Sequence, residues 1–304
     1  MSDVQQEPAW VGVAASIIRR LPRGRYRAAN WVGRRPVGPF WARMPADLGG
    51  LNFRCDLRDA IMRDVCLTGR YEPQETALLQ QILRPGMTFV DVGANWGYFT
   101  LAGACLVGGR GRVISVEADP AACSALRGNC SRNRLDWVSV IGVAASDRSC
   151  TLQFQSYDER ANESGNYGVA TTTTVVERAR PLDIQGRALD DVLDDAQVDR
   201  VDLLKIDIEG GEGRALTGLR RRLGDDRVGQ ILLEVHPQHL LDQGSSADWV
   251  VRELRDHGYQ AWSIDHSVSV TQRVAAGRLD VSETLTPLAD ASNLGPWPHL
   301  LWKR

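Results

Sequence analysis

The chain has 304 residues, of which 43% are hydrophobic and 24% are charged, and its formal net charge at pH 7 is -2. A chain of this size and composition can bury one sizeable core, in one elaborated domain or two small ones. The nearly balanced charge provides no overall attraction to polyanions, which argues against nucleic acid as a partner. The sequence contains no run of about 18 apolar residues and no leader-like segment, so it predicts a cytoplasmic protein.

The six cysteines are scattered along the chain without a Cys-x-x-Cys pair, and several lie in stretches typical of a helix or a strand. This distribution favours free, buried thiols over disulfides or zinc ligands, as expected in a reducing compartment. The cysteines are Cys55, Cys66, Cys105, Cys123, Cys130 and Cys150.

The first 45 or so residues differ from the rest, because an apolar stretch from Trp10 to Ile18 leads into seven arginines. A helix over Trp10 to Leu21 could place its apolar stripe on an anionic membrane or against the body of the protein, and we favour docking on the protein itself or a solvated face. The expected stripe consists of Trp10, Val13, Ile17 and Leu21. We therefore expect residues 1–70 to form a basic, helical extension and residues 71–304 to form the main domain.

From Glu75 onward, helical and strand patterns alternate. A predicted helix, Thr76 to Leu83, precedes a Pro-Gly turn and a strand over Thr88 to Val92. Short apolar strands separated by helices predict an α/β fold of the Rossmann-like, doubly wound kind with a mainly parallel sheet. Further strands are expected near 112–117, 138–144, 201–207, 230–235, 259–264 and 299–302, and helices near 98–107, 120–132, 212–222 and 246–257.

Two stretches, Thr151 to Arg187 and the tail from Asp265 to Arg304, interrupt this alternation, and the first predicts an inserted hairpin or loop. Its β-branched run from Thr171 to Val176 is typical of an edge strand. The part from Asn162 to Gly168 could either cover a substrate or form a disordered surface loop, and both interpretations stay open.

A glycine turn follows the first predicted strand of this series. Gly93 and Gly97 lie four residues apart, between a strand and the start of a helix. Such a turn brings backbone N–H groups close to a ligand. The spacing departs from the Gly-x-Gly-x-x-Gly phosphate cradle, so a ligand without a pyrophosphate on the helix fits better than a dinucleotide.

Acidic and small residues follow the next two strands. Glu117 ends the second strand, where a carboxylate can accept hydrogen bonds from both hydroxyls of a ribose. Ala145 and Ser146 precede Asp147 at the end of the third strand, so a flat adenine could approach while Asp147 accepts from its amine. An ordinary turn at Ser146 and Asp147 is the alternative.

The fourth and fifth strands end in charged residues. Lys205, Asp207 and Glu209 alternate with apolar residues and share one side, either as an internal salt bridge or as part of a ligand site. His236 follows the fifth strand, where an imidazole could exchange a proton near neutral pH. Zinc at His236 and His239 is disfavoured, because Pro237 spoils the helical alignment of the two rings.

With these residues in place, the segment from about 71 to 242 resembles the FkbM family of methyltransferases, a branch of the Rossmann-like enzymes that use S-adenosylmethionine. The resemblance rests on an ordered series of motifs. They are Val90 to Phe99, Val116 to Pro120, Ala188 to Val192, Asp202 to Gly210 and Ile231 to His236. One departure is Ala118, where the family commonly has proline after the glutamate.

The resemblance implies S-adenosylmethionine as cofactor and a small-molecule, glycan or peptide acceptor. It places Asp91, Gly93, Asn95 and Gly97 around the methionine half of the cofactor, Glu117 on its ribose and Asp147 near its adenine. The full set of expected cofactor-binding residues is Asp91, Gly93, Asn95, Trp96, Gly97, Glu117, Ala145, Ser146, Asp147 and Asp207. Family members are associated with O-methylation of sugars and natural products, and some with N-methylation of peptide side chains.

An alcohol acceptor must lose a proton, and the expected catalytic residues are His236, Asp207, Glu209 and Lys205. We expect His236 or Asp207 to be the base and Glu209 to orient the substrate or Lys205. A divalent metal held by Asp207 and Glu209 is a possible alternative that the sequence does not indicate, since no metal-spaced ligand set is visible. The rival functions are a nicotinamide-dependent oxidoreductase and a binding protein without turnover.

Overall fold

The computed structural model describes residues 4–21, 24–35, 37–157, 168–169, 179–292 and 294–304. In addition to three short 3-10 helices, twelve α-helices lie within these ranges. They are α1 Ala9–Arg20, α2 Arg25–Gly33, α3 Ala60–Thr68, α4 Pro73–Ile82, α5 Tyr98–Val107, α6 Pro120–Arg132, α7 Leu189–Asp195, α8 Glu212–Thr217, α9 Arg220–Gly224, α10 Pro237–Asp242, α11 Ala247–Asp256 and α12 Val268–Ala275.

Fifteen strands lie within the same described ranges. They are β1 Gln5–Gln6, β2 Phe40–Arg43, β3 Asn52–Cys55, β4 Thr88–Val92, β5 Arg112–Val116, β6 Val138–Ile141, β7 Ala144–Ser146, β8 Cys150–Tyr157, β9 Gly168–Val169, β10 Ala179–Ala188, β11 Val201–Ile206, β12 Val228–Glu234, β13 Gln260–Ile264, β14 Leu285–Pro287 and β15 His299–Lys303.

The central sheet has eight strands in the order β14-β13-β15-β12-β11-β4-β5-β6. The five strands from β12 to β6 run parallel, and β15 is inserted antiparallel between β12 and β13. This arrangement confirms the predicted doubly wound, mainly parallel α/β fold. From β4 the chain proceeds to β5 and β6 on one side, while β11 and β12 lie on the other, so the topological switch point lies between β4 and β11.

The central strands are buried on both faces, as is typical of parallel sheets. In β11, Leu203 packs into one hydrophobic cluster and the adjacent Leu204 into the other, because successive side chains point to opposite faces. The first cluster includes residues of α1 to α5, and the second includes residues of α7, α8, α9 and α11. The sheet therefore lies between two apolar layers.

The N-terminal helices belong to the first of these layers, so α1 docks on the enzyme as favoured from the sequence. The docking face is not the predicted stripe, however. Val11, Ala15 and Ile18 are buried, whereas Val13 and Ile17 are 60% and 57% exposed. The helix is apolar on more than one side, so its periodicity could not distinguish the packed face from the exposed one.

The insertion is a hairpin in which β8 pairs antiparallel with β10, from the Tyr157–Ala179 pair to the Cys150–Gly186 pair. The predicted edge strand at Thr171 to Val176 lies outside the described residues, and so does the segment from Asn162 to Gly168 except for Gly168 itself.

The predicted helix near 212–222 is divided into α8 and α9. At the division, a Cβ atom on Gly218 would lie 2.0 Å from the backbone oxygen of Ser146. The close approach of the helix to β7 therefore requires glycine at this position.

All six cysteines are free thiols, and Cys55, Cys66, Cys123 and Cys130 are buried. Among the described helices, none has the length and apolarity needed to cross a bilayer.

Candidate active site

A cavity opens at the carboxyl ends of β4, β5 and β11, at the topological switch point. Including the part open to solvent, its empty volume is about 1160 Å³. Crevices at this edge are the usual ligand sites of open α/β sheets. The cavity brings together many of the predicted residues, namely Gly93, Asn95, Trp96, Gly97, Glu117, Ala145, Lys205, Asp207 and Glu209.

The glycine turn after β4 has the backbone geometry that the sequence predicts. Gly93 and Gly97 have φ angles of 81° and 94°, in the left-handed region that favours glycine. A Cβ atom on Gly93 would lie 1.9 Å from the backbone oxygen of Asp207, and one on Gly97 would lie 2.2 Å from Leu126. The absence of a side chain at Gly93 therefore lets the turn approach the end of β11, and its absence at Gly97 lets the turn approach α6.

Glu117 joins this turn to the end of β5. Its Oε2 atom accepts a hydrogen bond of 2.6 Å from the backbone N–H of Asn95, and its Oε1 atom accepts one of 2.7 Å from that of Asp119. Burial raises the pKa of Glu117 to about 7, although these hydrogen bonds oppose the shift. Each oxygen keeps a further lone pair, so Glu117 is held in place and can still accept from a ligand.

Asp91 lies behind the cavity rather than in its lining. It is 1% exposed, and its Oδ2 atom accepts a hydrogen bond of 2.7 Å from the Thr100 hydroxyl, which also lies 2.8 Å from the Ser115 hydroxyl. The Oδ1 atom has no partner among the described residues. Asp91 therefore links β4 to α5 beside the glycine turn and does not face the cavity.

The strand β7, at the end of the third predicted strand, contributes less to the cavity than the sequence predicts. Ala145 lines the cavity, together with Val143 and Ala144. Ser146 and Asp147 do not line it: the Ser146 hydroxyl donates to Asp147, and Asp147 pairs with Arg148 at 2.9 Å. The contact of Asp147 with adenine therefore remains a prediction that this geometry does not support, since the carboxylate is already engaged at the surface.

Lys205 is a buried cation at the end of β11, 4% exposed. Its ammonium nitrogen lies 3.0 Å from Oδ2 of Asp207 and 4.6 Å from the centre of the Phe99 ring. Burial alone would lower the pKa of Lys205, but the carboxylates of Asp207 and Glu72 and others nearby outweigh it and raise the pKa. The same ion pair holds the pKa of Asp207 below its usual value, against the effect of burial.

His236 has a different environment from the one expected of a base. Its Nδ1 atom lies 2.6 Å from Glu212, and its Nε2 atom lies 3.4 Å from Glu209 and 3.5 Å from Glu234. Burial would lower its pKa, but the carboxylates of Glu212, Glu234 and Glu209 raise it to about 11. His236 is thus an imidazolium near pH 7 and does not line the cavity, so the geometry assigns it a positioning role instead of proton removal.

Glu209 lines the cavity immediately after β11. Its φ angle is 51°, an uncommon conformation for a residue other than glycine and one that occurs often at functional sites. Its Oε2 atom lies 3.3 Å from Nδ1 of His239 and 3.4 Å from Nε2 of His236. Burial raises the pKa of Glu209 to about 7, although the charge of His236 opposes the shift.

The lining also includes residues outside the predicted set, among them Tyr71, Glu72 and Glu234. Burial raises the pKa of Glu72, with Lys205 opposing the shift. Glu234 had a sequence signal, because it lies two residues before His236 and on the same side of the strand. Tyr71 and Glu72 had none, since they precede α4 and reach the cavity only through the packing of that helix.

Two groups of side chains could be considered as metal ligands in the described part of the chain. The first group is Asp207, Glu234 and His236. Its carboxylates already lie near two cations, the ammonium of Lys205 and the protonated imidazole of His236, so no metal ion is needed to balance their charge. Glu75 lies between His266 and His299, whose rings stack with centres 4.0 Å apart at 24°. The Nε2 atom of His266 and the Nδ1 atom of His299 lie 2.7 Å and 3.0 Å from the same oxygen of Glu75, so these three side chains are already paired with one another. The donor sets therefore do not favour a metal.

A doubly wound sheet with an acidic cavity at its switch point defines an α/β protein that binds a small organic ligand. The model of the methyltransferase FkbM domain matches residues 91–261, more than half of the chain. The chain belongs to the FkbM family of methyltransferases. This membership implies S-adenosylmethionine as methyl donor and sets aside the nicotinamide alternative.

Two curated relatives illustrate the similarity. The 31-O-demethyl-FK506 methyltransferase FkbM of Streptomyces tacrolimicus is 30% identical over 202 residues, which are 58% of this chain and 74% of the relative. The AMB antimetabolite synthetase AmbE of Pseudomonas aeruginosa is 30% identical over 214 residues, which are 59% of this chain and 10% of AmbE. This chain therefore spans only a small part of AmbE.

Among solved structures, the methyltransferase FkbM of Methylobacillus flagellatus is 17% identical to this chain. The match covers 96% of this chain and 60% of that one, with a TM-score of 0.42.

The residues of the cavity fit S-adenosylmethionine. The buried Oδ1 atom of Asn95 has no partner among the described residues and could accept from the cofactor. Glu117 would hold the ribose, and Ala144 and Ala145 leave a flat apolar surface for adenine. The surplus of carboxylates complements a cofactor that carries a positive sulfonium and a positive amino group.

Proposed function

We propose that this protein is an O-methyltransferase that methylates a hydroxyl group of an uncharged acceptor, a sugar or a hydroxylated natural product. The observation that carries the proposal is the position of Glu209. Its carboxyl group lines the cavity, is held between two imidazole rings and has a pKa near 7. A general base is most effective when its pKa lies near the working pH.

The charge of the cavity supports an uncharged acceptor. Glu72, Asp207, Glu209 and Glu234 line the region around Lys205, which is the only basic residue among the described lining residues. An anionic acceptor such as a phosphate ester would be repelled by these carboxylates. A sugar hydroxyl carries no charge and can donate a hydrogen bond to any of them.

The other candidate bases are less suitable. Asp207 is paired with Lys205 at 3.0 Å, and its pKa is held low, so the carboxylate has little tendency to take a proton. His236 is already protonated near neutral pH. Both residues instead fix the position of other groups: Asp207 holds Lys205, and His236 holds Glu209.

The proposed reaction balances in a single displacement. S-adenosylmethionine supplies the methyl group: the acceptor oxygen forms a bond to its carbon while the sulfur–carbon bond breaks and leaves its electron pair on the sulfur. Glu209 accepts the proton of the acceptor hydroxyl. Positioning of the acceptor by the surrounding side chains can contribute roughly 7 to 11 kcal/mol to such a transfer.

N-methylation of a peptide side chain is the second candidate. The same surplus of carboxylates would attract a cationic amine, whereas an uncharged hydroxyl group does not need this charge in order to bind. The two candidates differ in the atom that carries the new methyl group, and that atom can be identified directly.

The test is to incubate the purified protein with S-adenosylmethionine that carries a ¹³C-labelled methyl group, together with sugars, hydroxylated natural products and lysine-containing peptides. NMR then identifies the atom bonded to the label. The Glu209→Gln variant is compared with Glu253→Gln, a matched change at a residue that pairs with Arg220 on the surface.

A labelled methoxy product that is lost only in Glu209→Gln supports the proposal. A label on nitrogen contradicts it and favours the second candidate. Methoxy product formed at the normal rate by Glu209→Gln would contradict the assignment of the base. If no acceptor in the panel is methylated, although cofactor binding is intact, the proposed acceptor class is contradicted.

A further inference from the structure

A second concave surface lies apart from the active site, between the C-terminal end of α1, the segment after α3, and α12. Six arginines line it, and none of its described lining residues is acidic. We call this surface the arginine groove. The six residues are Arg19, Arg20, Arg25, Arg70, Arg273 and Arg278.

Much of this positive charge is not neutralised by the protein. Arg70 pairs with Asp47, but its Nη1 atom is buried and has no hydrogen-bond partner among the described residues. Within the same described part of the chain, Arg25, Arg273 and Arg278 form no ion pair. The chain as a whole has a net charge of -2, so this positive region is local and points to an anionic ligand.

The sequence reinforces this local charge. Residues 8–35 contain seven arginines and no aspartate or glutamate. A stretch of this kind is typical of segments that approach anionic surfaces, because no internal carboxylate competes for the guanidinium groups.

Exposed apolar side chains lie on α1 and α12, two helices that line the groove, and we call them its apolar border. Val13 and Ile17 lie on the same face of α1 as Arg20 and are 60% and 57% exposed. Val268 begins α12 and is 74% exposed. Four of the six large apolar side chains that are exposed among the described residues lie on α1, α2 or α12, the fourth being Trp31.

We propose that the arginine groove and the exposed face of α1 bind the surface of an anionic phospholipid membrane. Guanidinium groups pair well with headgroup phosphates. Val13, Ile17 and Val268 would enter the boundary between headgroups and acyl chains, as apolar side chains do in helices that lie on a membrane. A soluble phosphate ligand would explain the arginines but not the apolar border, and this difference favours the membrane.

The arginine groove lies next to the active-site cavity. Arg70 lines the groove, and the next two residues, Tyr71 and Glu72, line the active-site cavity. Successive Cα atoms are about 3.8 Å apart, so the two surfaces adjoin. A membrane bound at the groove would bring the cavity close to its surface. The inference does not depend on the acceptor or on the atom that is methylated.

The test is flotation of the full chain with vesicles of phosphatidylcholine alone and with vesicles that also contain phosphatidylglycerol. We expect binding to the second kind only, weakened by salt because salt shortens the range of electrostatic attraction. The Arg20→Glu/Arg273→Glu variant should bind about 25-fold more weakly or worse, at roughly fivefold for each arginine. The Val13→Gln/Ile17→Gln variant should also bind more weakly.

The matched control is Arg110→Glu/Arg252→Glu, which makes the same change of charge at exposed arginines outside the groove. Binding of S-adenosylhomocysteine confirms that each variant is folded. Equal binding to both kinds of vesicle, or an equal loss in the groove and control variants, would overturn the proposal. So would binding of soluble pyrophosphate without flotation, which would identify a soluble phosphorylated ligand.

Discussion

The Nδ1 atom of His236 lies 2.6 Å from Oε1 of Glu212, and the two side chains are 3% and 0% exposed. On the other side of the ring, Nε2 faces Glu209 and Glu234 at 3.4 Å and 3.5 Å. One buried imidazolium therefore joins α8 to the carboxylates of the cavity.

Loss of the imidazolium should destabilise the fold. In His236→Gln the carboxylate of Glu212 stays buried without its cation, and breaking such a pair costs about 3–5 kcal/mol. The pKa of His236 is raised from 6.5 to about 11 in the folded state. Its contribution to stability is thus fully present below pH 6.5 and is lost as the pH rises through about 11.

Urea denaturation of wild type and His236→Gln from pH 6 upward measures this difference. The gap between their free energies of unfolding should narrow as the pH rises. His257→Gln is the control, because the Nδ1 atom of His257 bonds only the backbone oxygen of Glu253 among the described residues. A gap that is independent of pH would contradict a protonated His236.

The pH dependence of methyl transfer should report the ionisation of Glu209. The carboxylate must be ionised to accept a proton, so kcat/KM for the acceptor, measured at saturating cofactor to remove the titration of Glu117, should rise with pH and level off above about 7, where burial has placed the pKa. In Glu209→Gln this rise should disappear, and the rate should fall by about 10²- to 10⁴-fold. Single-turnover rates of both proteins across the pH range test this; an unchanged profile in the variant would assign the proton transfer to another group.

Removal of the Glu117 carboxylate should weaken cofactor binding. Hydrogen bonds to a charged group contribute about 1.5–3 kcal/mol, so Glu117→Ala should bind S-adenosylhomocysteine about ten- to a hundredfold more weakly. Isothermal titration measures the affinity, with NAD as the control ligand and Glu253→Ala as the control variant. Equal affinities of Glu117→Ala and wild type would remove Glu117 from the cofactor site, and tighter binding of NAD would contradict the cofactor assignment.

Glu117 also accepts from the backbone of Asn95 and Asp119, so its removal could disturb the turn as well as the ligand. The free energy of unfolding of Glu117→Ala, measured beside its affinity, separates the two effects. Weak binding with a free energy of unfolding close to that of wild type assigns the loss to the ribose contact. Glu117→Gln is not a neutral substitute, because its amide NH2 would face one of the two backbone N–H groups.

The glycine turn should tolerate no side chain at position 93. Gly93 and Gly86 both have positive φ angles, 81° and 92°, but a Cβ atom on Gly86 has nothing within 4 Å. Gly86→Ala should therefore cost only the backbone strain of about 1–2 kcal/mol. Gly93→Ala carries the same strain and in addition forces the turn away from Asp207, so it should cost more and abolish binding of S-adenosylhomocysteine. Thermal unfolding and titration of both variants test this, and equal effects would contradict a tight approach at Gly93.

The α/β fold and much of the cavity lining could be predicted because their signals are local. The strand at Thr88–Val92, the helices at Tyr98–Val107 and Pro120–Arg132, and the glycine turn all depend on short-range periodicity and on backbone conformation. Parallel strands also end at one edge of a sheet, so Gly93, Glu117 and Asp207 were expected to meet even though they are distant in the chain.

The roles of individual ionisable groups could not be predicted in this way. A histidine at a strand end is a plausible base until the carboxylates around it are known, and those around His236 come from α8 and from the ends of two strands. The exposed face of α1 was equally ambiguous, because the helix offered two apolar stripes and only its packing against α2 and α3 selected Val11, Ala15 and Ile18.

The sequence by itself thus determined the order of the elements, the glycine turn and the edge of the sheet at which the cavity forms. The tertiary structure decided which carboxyl groups face the cavity with a pKa near 7, which imidazole is charged near neutral pH, and that Glu72 belongs to the site. The physical reason is that periodicity depends on neighbours along the chain, whereas a pKa depends on burial and on charges that folding brings together from distant positions.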